Sequence, residues 1–204
     1  MKYLIAIPCM DTVNTMFFMS MIDLKKIGEC RVAVSRSSLV YDSRNKLAEM
    51  AINEGYDRIL WLDSDMIFDP DTMEKLAADL DSGKEFVTGL CFSRKPPIRP
   101  CIYNELKVGG MDEEAVVYKD YPKDELFQVK AAGFACVMME VKMLKRLWDK
   151  YGAPFTPLPQ WGEDLSFCIR ARDEQLWCDS RIKIGHLGQT IINEETYTGK
   201  TTII

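Results

Sequence analysis

Residues 58 to 62 read Arg-Ile-Leu-Trp-Leu and run without punctuation into Asp63-Ser64-Asp65. An apolar run this short, without polar alternation, marks a strand covered on both faces, as in a parallel sheet flanked by helices. Helical spacing stands on either side. Asp42 can cap a helix with Leu47, Ala48, Ala51 and Ile52 on one face, stopped by Gly55, and Asp69-Pro70 opens another that reaches about Leu80. Further strands are read from Tyr3 to Ile7, ended by Pro8, from Arg31 to Ser35, and from Phe86 to Phe92, with a helix from Thr15 to Ile27 closed by Gly28. The alternation predicts an α/β fold with a mostly parallel central sheet.

The pattern changes after Arg94. Pro96, Pro97 and Pro100 punctuate a loop that carries Arg94, Lys95 and Arg99, which reads as a solvated basic connection in preference to a flap reaching an anion. Strand-like runs near Cys101 to Asn104, Ala115 to Lys119 and Phe127 to Ala131 make this half more antiparallel. A helix from Val141 to Lys150, a proline-rich loop, a helix opened by Trp161-Gly162-Glu163-Asp164 and running to about Gln175, and a strand from Arg181 to Ile184 complete the order. No internal repeat or linker divides the 204 residues, and one domain is expected, with halves at 1–92 and 93–190 and a tail at 191–204. The tail, with Thr196, Thr198, Thr201 and Thr202, shows no decisive period and suits either a lid or a partner strand.

A net charge of -5 argues against a nucleic-acid partner, because phosphate backbones are held by basic faces. An anionic substrate would therefore need a metal or local cations. The apolar runs fall far short of the ~20 residues of a spanning helix and the opening is too brief for a signal peptide, so a cytoplasmic protein is expected. The seven cysteines are odd in number, widely spaced and free of C-x-x-C pairs, which predicts reduced thiols packed as small hydrophobes.

Asp63 and Asp65 follow a buried strand at its carboxyl end, where open α/β sheets form ligand crevices. Two residues apart, their oxygens suit Mg2+ or Mn2+ gripping phosphate, although an acidic turn before a helix has the same composition. Glu163-Asp164 sits at a helix start, where the dipole favours carboxylates in any case, but the preceding Pro159, Trp161 and Gly162 offer an aromatic wall against which a sugar ring stacks. His186, the sole histidine, lies beside Gly185 and Gly188 and reads either as a packed residue or as a further ligand to an ion held by the aspartates. Gly133 before Phe134 allows close backbone approach to a ligand, or a bulge.

In this order the motifs Ile-Ala-Ile-Pro8, Ser43-Arg44-Asn45, Leu-Trp-Leu-Asp63-Ser64-Asp65, Gly133-Phe134-Ala135, Glu163-Asp164 through Arg170-Ala171 and Ile-Gly-His186 resemble the large inverting family of GT-A glycosyltransferases, often called family two. The resemblance covers about residues 1 to 190. It implies the GT-A fold: a Rossmann-like nucleotide-binding half and a smaller mixed acceptor half. It further implies transfer of a sugar from a UDP- or GDP-linked donor to an acceptor hydroxyl with inversion, the acceptor itself being unreadable. Pro8, Asp11, Thr12, Arg44, Asp63, Ser64 and Asp65 would hold the nucleotide-sugar, and Asp63, Asp65 and His186 a Mn2+ or Mg2+ ion. Asp164 would act as base with Glu163 orienting it, and Gly133, Phe134, Trp161 and Gly162 would contact acceptor or sugar. Two departures stand out. Ser35-Arg36-Ser37-Ser38 has no aspartate to read uracil, and Asp173-Glu174-Gln175-Leu176 lacks the glycine that often ends the helix after Glu-Asp.

A nucleotidyltransferase fits less well, because Pro8-Cys9-Met10-Asp11 is neither glycine-rich nor basic enough to cradle a triphosphate. A phosphatase of the haloacid-dehalogenase type would place its aspartate after the first strand instead of the third. A non-catalytic nucleotide-sugar-binding or scaffold domain is the remaining alternative, made thinkable by the short region after His186.

Overall fold

The computed structural model describes residues 1–109, 113–188 and 191–199. The first half alternates as expected: β1 (Lys2–Cys9), α1 (Thr15–Asp23), β2 (Glu29–Arg36), α2 (Val40–Asn53), β3 (Arg58–Leu62), a two-residue β4 (Met66–Ile67), α3 (Thr72–Asp81) and β5 (Phe86–Leu90). Short strands then follow, β6 (Ile102–Lys107), β7 (Glu114–Val117), β8 (Leu126–Val129) and β9 (Ala131–Ala132), before β10 (Cys136–Glu140) and α4 (Val141–Tyr151). The chain continues through α5 (Glu163–Arg170), β11 (Leu176–Lys183), β12 (Gly185–Leu187), β13 (Ile191–Ile192) and a final turn, α6 (Glu194–Tyr197).

The central sheet has the order β2-β1-β3-β10-β5-β11-β8. Five of its seven strands point the same way, and β10 and β8 run against their neighbours. Side chains alternate across the sheet, so Leu60 and Leu62 of β3 enter a core with Met73 and Leu76 of α3, and Trp61 enters the opposite core with Leu47, Ala48 and Ala51 of α2. Each large side chain buried this way contributes about 1.5–3 kcal/mol against exposure. A ring cluster of Trp61, Phe86, Phe134, Phe155 and Phe167, with centroids 4.7 to 6.5 Å apart, fills the layer beneath α5.

The boundaries differ from the sequence reading for local reasons. Helix α1 stops at Asp23, because Leu24 turns extended and the Lys25 N–H leaves the helix for the Pro70 carbonyl. Gly28 therefore stops no helix; it enters β2 at φ +62°, where a Cβ would lie 2.7 Å from the Met1 carbonyl oxygen. Helix α2 starts at Val40, so Asp42 stands inside the first turn, bonded by Lys46 Nζ, and caps nothing. Helix α3 starts at Thr72 after Asp71, and Asp69 contributes its carbonyl instead of its carboxylate. Helix α5 ends at Arg170, five residues before Gln175, and β11 begins correspondingly early. The tail is tied down through α6: Glu194 accepts from Tyr121, Lys123 and Lys183, and the Tyr197 ring lies 5.0 Å from Phe92. Thr201 and Thr202 lie outside the described residues.

Candidate functional site

Strand β3 ends where the Asp63 N–H donates to the Ala135 carbonyl, and the chain turns back through a Met66 N–H to Asp63 carbonyl bond. That turn throws Asp63 and Asp65 to different neighbours. Asp63 faces inward, to Arg44 of α2, whose Nη2 donates to its Oδ1 at 2.7 Å, while Nε of the same guanidinium reaches Glu163 Oε1 at 3.4 Å. Arg44 is only 1% exposed. Its Nη1 has no hydrogen-bond partner among the described residues, and its guanidinium carbon lies 5.4 Å from the Phe134 ring centroid and 5.7 Å from that of Trp61, so aromatic faces take part of its charge. Burial raises the Asp63 pKa above the ordinary value; Arg44 opposes this, and Asp65 and Glu163 add to it.

Asp65 faces the cleft. Short β4 pairs antiparallel with β12, setting Met66 opposite His186, and the Leu187 N–H donates to the Asp65 carbonyl at 2.8 Å. His186 Nδ1 lies 2.8 Å from the Phe92 carbonyl oxygen, to which it can only donate, so in the neutral ring the lone pair sits on Nε2, 3.3 Å from Asp65 Oδ2. Arg94 Nη1 donates to the same Asp65 oxygen at 2.7 Å. Burial pushes Asp65 upward, but the His186 bond and the charges of His186 and Arg94 outweigh it and hold its pKa below normal. Conversely, the Asp65 bond overcomes burial and raises His186.

Asp65 and His186 fit a divalent ion: a carboxylate oxygen and an imidazole nitrogen whose other nitrogen is anchored by a backbone carbonyl, the usual arrangement behind a ligating histidine. Their 3.3 Å spacing is close to the roughly 3 Å between neighbouring ligands of an octahedral ion with ~2.1 Å bonds. Asp63 does not join them. Here Arg44 holds the Asp63 carboxylate, and among the described residues no three His, Cys, Asp or Glu side chains converge on one point.

Pro8 at the end of β1 and Thr12 after it, Ser37 and Ser38 after β2, Asp63, Ser64 and Asp65 after β3, and Arg94 line a cleft of about 400 Å³ at the carboxyl ends of the parallel strands. Asp11 lies one hollow away, paired with Arg36 at 3.4 Å. Arg44, expected beside the nucleotide, lies beneath the floor and cross-links Asp63 and Glu163. Arg94, in a loop whose composition suits a solvated connection, turns into the cleft. The signal was the basic proline loop itself, ambiguous until its neighbour was known.

Gly162 precedes α5, and Asp164 stands in its first turn with Oδ1 accepting from the Leu165 N–H at 2.7 Å. Gly162 makes room for this carboxylate, and Gly133 for Cys101 beside it. A Cβ at Gly162 would sit 3.0 Å from Asp164 Oδ1, and one at Gly133 would sit 3.3 Å from Cys101 Cβ and 3.7 Å from Asp164 Oδ2. Burial, with the neighbouring Glu163 charge, pushes Asp164 up to about 6. Trp161 is half-buried beside it, its Nε1–H donating to Glu113 at 3.0 Å. Phe134 is 2% exposed within the ring cluster, and its ring lies against Arg44 and the core. Cys101, which sequence reading assigned only to packing, proves to adjoin Gly133 and Asp164.

Solved structures share this architecture. A197 from STIV matches with a TM-score of 0.65 and 19% identity over 92% of this chain and 86% of that one. GalNAc-T7, solved with UDP, GalNAc and Mn2+, matches at 0.61 and 13% identity over 92% of this chain, and residues 1–349 of S. aureus TarS at 0.54 and 14% over 87%. These neighbours are glycosyltransferases. The fold is that of the GT-A glycosyltransferases. The chain spans 44% of the GalNAc-T7 chain and 58% of the TarS chain. No protein-family model matches it, and no curated protein sequence does.

Proposed function

We propose that this chain transfers a sugar from a nucleoside diphosphate donor to an acceptor hydroxyl, with inversion at the anomeric carbon. The observation that carries the reading is that two unlike carboxylates, Asp65 and Asp164, flank the cross-link that Arg44 makes between Asp63 and Glu163. Asp65 is held ionised beside His186 and Arg94, and Asp164 is raised to about 6 in a buried niche. Groups whose environments push their pKa values apart in this way suit opposite roles.

The donor enters the cleft between Pro8, Thr12, Ser37, Ser38 and Ser64, and its diphosphate lies toward Asp65 and Arg94. Asp65 and His186 would hold a Mn2+ or Mg2+ ion, which when bound supplies positive charge against the leaving diphosphate. Arg94, on the same Asp65 oxygen, adds a second cation that can follow the phosphate. Asp164 accepts the proton of the acceptor hydroxyl as that oxygen attacks, work worth about 10²–10⁴ in rate. Glu163, tied to Arg44, fixes the first turn of α5 and so the aim of Asp164. Trp161 offers the acceptor its ring. That GalNAc-T7 was solved with UDP and Mn2+ supports a nucleotide-sugar donor and a divalent ion here. All seven cysteines are free, which supports a reducing, cytoplasmic setting, and among the described residues no helix is long and apolar enough to cross a membrane.

The test is product analysis. Incubation with UDP- and GDP-sugars, Mn2+ and a panel of sugar acceptors is expected to give a glycoside of inverted anomeric configuration by NMR. Donor binding without transfer or hydrolysis across the panel would replace the reading with the non-catalytic binding domain, and a product of retained configuration would remove Asp164 from the base role.

A further inference from the structure

The donor cleft opens into a second hollow of about 370 Å³, lined by Met10, Asp11, Arg36, Ser37 and Ser38. Met10, Ser37 and Ser38 also line the donor cleft, so the two spaces share a wall at the carboxyl ends of β1 and β2. Asp65 and Arg94 line the donor cleft and not the hollow. The shared wall is held by the strands that carry it. The register of β1 and β2 sets Cys9 opposite Arg36, and the Ser37 N–H donates to the Cys9 carbonyl at 3.2 Å. Ser43 Oγ of α2 donates to the Ser35 carbonyl at 3.1 Å, and Ser37 Oγ accepts from the Leu39 N–H at 3.1 Å. These bonds fix the point from which the Arg36 side chain departs.

The hollow carries one anion and one cation, and they meet. Arg36 Nη2 donates to Asp11 Oδ1 at 3.4 Å. Both side chains are largely exposed, and an exposed ion pair contributes little to folding. Their hydrogen-bonding capacity is therefore open to a molecule that enters the hollow. Nη2, Oδ1 and Oδ2 present, in that order, a donor, an acceptor and a second acceptor. Beside them Met10, 62% exposed, offers an apolar and polarizable side chain against which a flat ring can lie.

We propose that this hollow seats the base of the donor nucleotide and selects guanine, a selection that rests on the nucleotide-sugar reading above. With the diphosphate at Asp65 and Arg94, the nucleoside runs to the shared wall at Met10, Ser37 and Ser38, and its base enters the hollow beyond. The pairing edge of guanine runs O6 acceptor, N1–H donor, N2–H donor, the complement of the row that Arg36 and Asp11 present. Arg36 donates to O6, and the Asp11 carboxylate accepts from N1–H and N2–H, both contacts strengthened by the charge on the protein side. Uracil runs acceptor, donor, acceptor, so with its N3–H on Oδ1 one carbonyl oxygen faces Oδ2, acceptor against acceptor. Cytosine and adenine carry an unprotonated ring nitrogen at the centre of the same edge, and in either orientation it faces Oδ1. Guanine alone among the four satisfies all three positions.

The test is calorimetric titration of the full chain, in the presence of Mn2+, with GDP, UDP, CDP and inosine diphosphate, which is GDP without the N2 amino group. GDP is expected to bind tightest, with each of the other three at least about tenfold weaker, the size of a lost charge-assisted hydrogen bond. In Asp11→Ala the gap between GDP and inosine diphosphate should close to within about twofold, whereas Arg36→Ala should weaken both and keep the gap, because O6 is common to the two. UDP or CDP binding as tightly as GDP, inosine diphosphate matching GDP on the wild type, or a gap unchanged in Asp11→Ala overturns the guanine assignment and leaves the donor site standing. Absence of binding of all four to the folded wild type overturns the donor reading, and the assignment with it. The wild-type comparison of GDP with inosine diphosphate decides the matter even if a variant does not fold.

Discussion

Arg44 is the residue whose loss the structure prices most clearly. Its buried guanidinium joins Asp63 and Glu163 beneath the cleft and lies against Phe134 and Trp61. Arg44→Met keeps the chain length and the apolar packing but leaves two carboxylates without their common cation. Breaking a buried pair in this way costs about 3–5 kcal/mol, and for a domain of this size that is a loss in Tm of roughly 6–20 °C. The effect has a pH signature. Burial already holds the folded pKa of Asp63 above its ordinary value, and without Arg44 it rises further. A carboxyl whose folded pKa exceeds its unfolded one destabilises where it is ionised, and the cost fades as pH falls through the folded value. The penalty should therefore be largest where Asp63 is ionised and shrink as pH falls, and adding Asp63→Asn to the variant should recover part of it. The assay is calorimetric unfolding at several pH values. A Tm loss below about 2 °C, or one that does not shrink as pH falls, would refute the reasoning.

Asp164→Asn should leave donor binding nearly intact while lowering turnover at least about a hundredfold, and equal losses in both would deny the base role. With Asp164 raised to about 6, kcat/KM of the wild type should be level above that pH and fall about tenfold per unit below it, whereas a profile level to pH 5 would mean that the group titrating is another. Gly162→Ala suits the local backbone at φ -65° yet presses on Asp164 Oδ1 from 3.0 Å, so kcat should drop by about ten- to a hundredfold with little change in Tm, and unaltered kcat would show that the carboxylate has room to move. Phe134→Ala should cost about 3–5 kcal/mol in urea unfolding with the donor Kd unchanged, since the ring lies in the core and not in the cleft; a weakened donor with full stability would return Phe134 to the site.

Where the sequence carried periodicity and punctuation, the fold could be read from it. The strands from Lys2 to Leu90 and the turn at Asp63 follow from apolar runs broken by polar helices. The antiparallel β10 does not, because the four apolar residues of Cys136-Val-Met-Met are too few for periodicity to separate a buried strand from the approach to α4. Only the tertiary partners, β3 and β5 on either side, make it a strand. In the site, Asp65, His186 and Asp164 stood in legible positions because strand and helix ends gather at one edge of such sheets. The division of labour between Asp63 and Asp65 was not legible, since it depends on Arg44 reaching up from α2. Yet the burial of Arg44 had left a trace: with Leu47, Ala48 and Ala51 it completes the i, i+3, i+4, i+7 spacing of the buried face. A charged residue on that face must find a partner, and Asp63 and Glu163 are its partners.

The central claim, a donor site built on Asp65, is tested most directly by calorimetric titration with UDP, GDP and CDP, each with and without Mn2+, on the wild type and on Asp65→Ala. The account predicts binding of one of these nucleotides that depends on Mn2+ and is lost in the variant. Absence of binding of all three to the folded wild type, or equal binding to the variant, would contradict it.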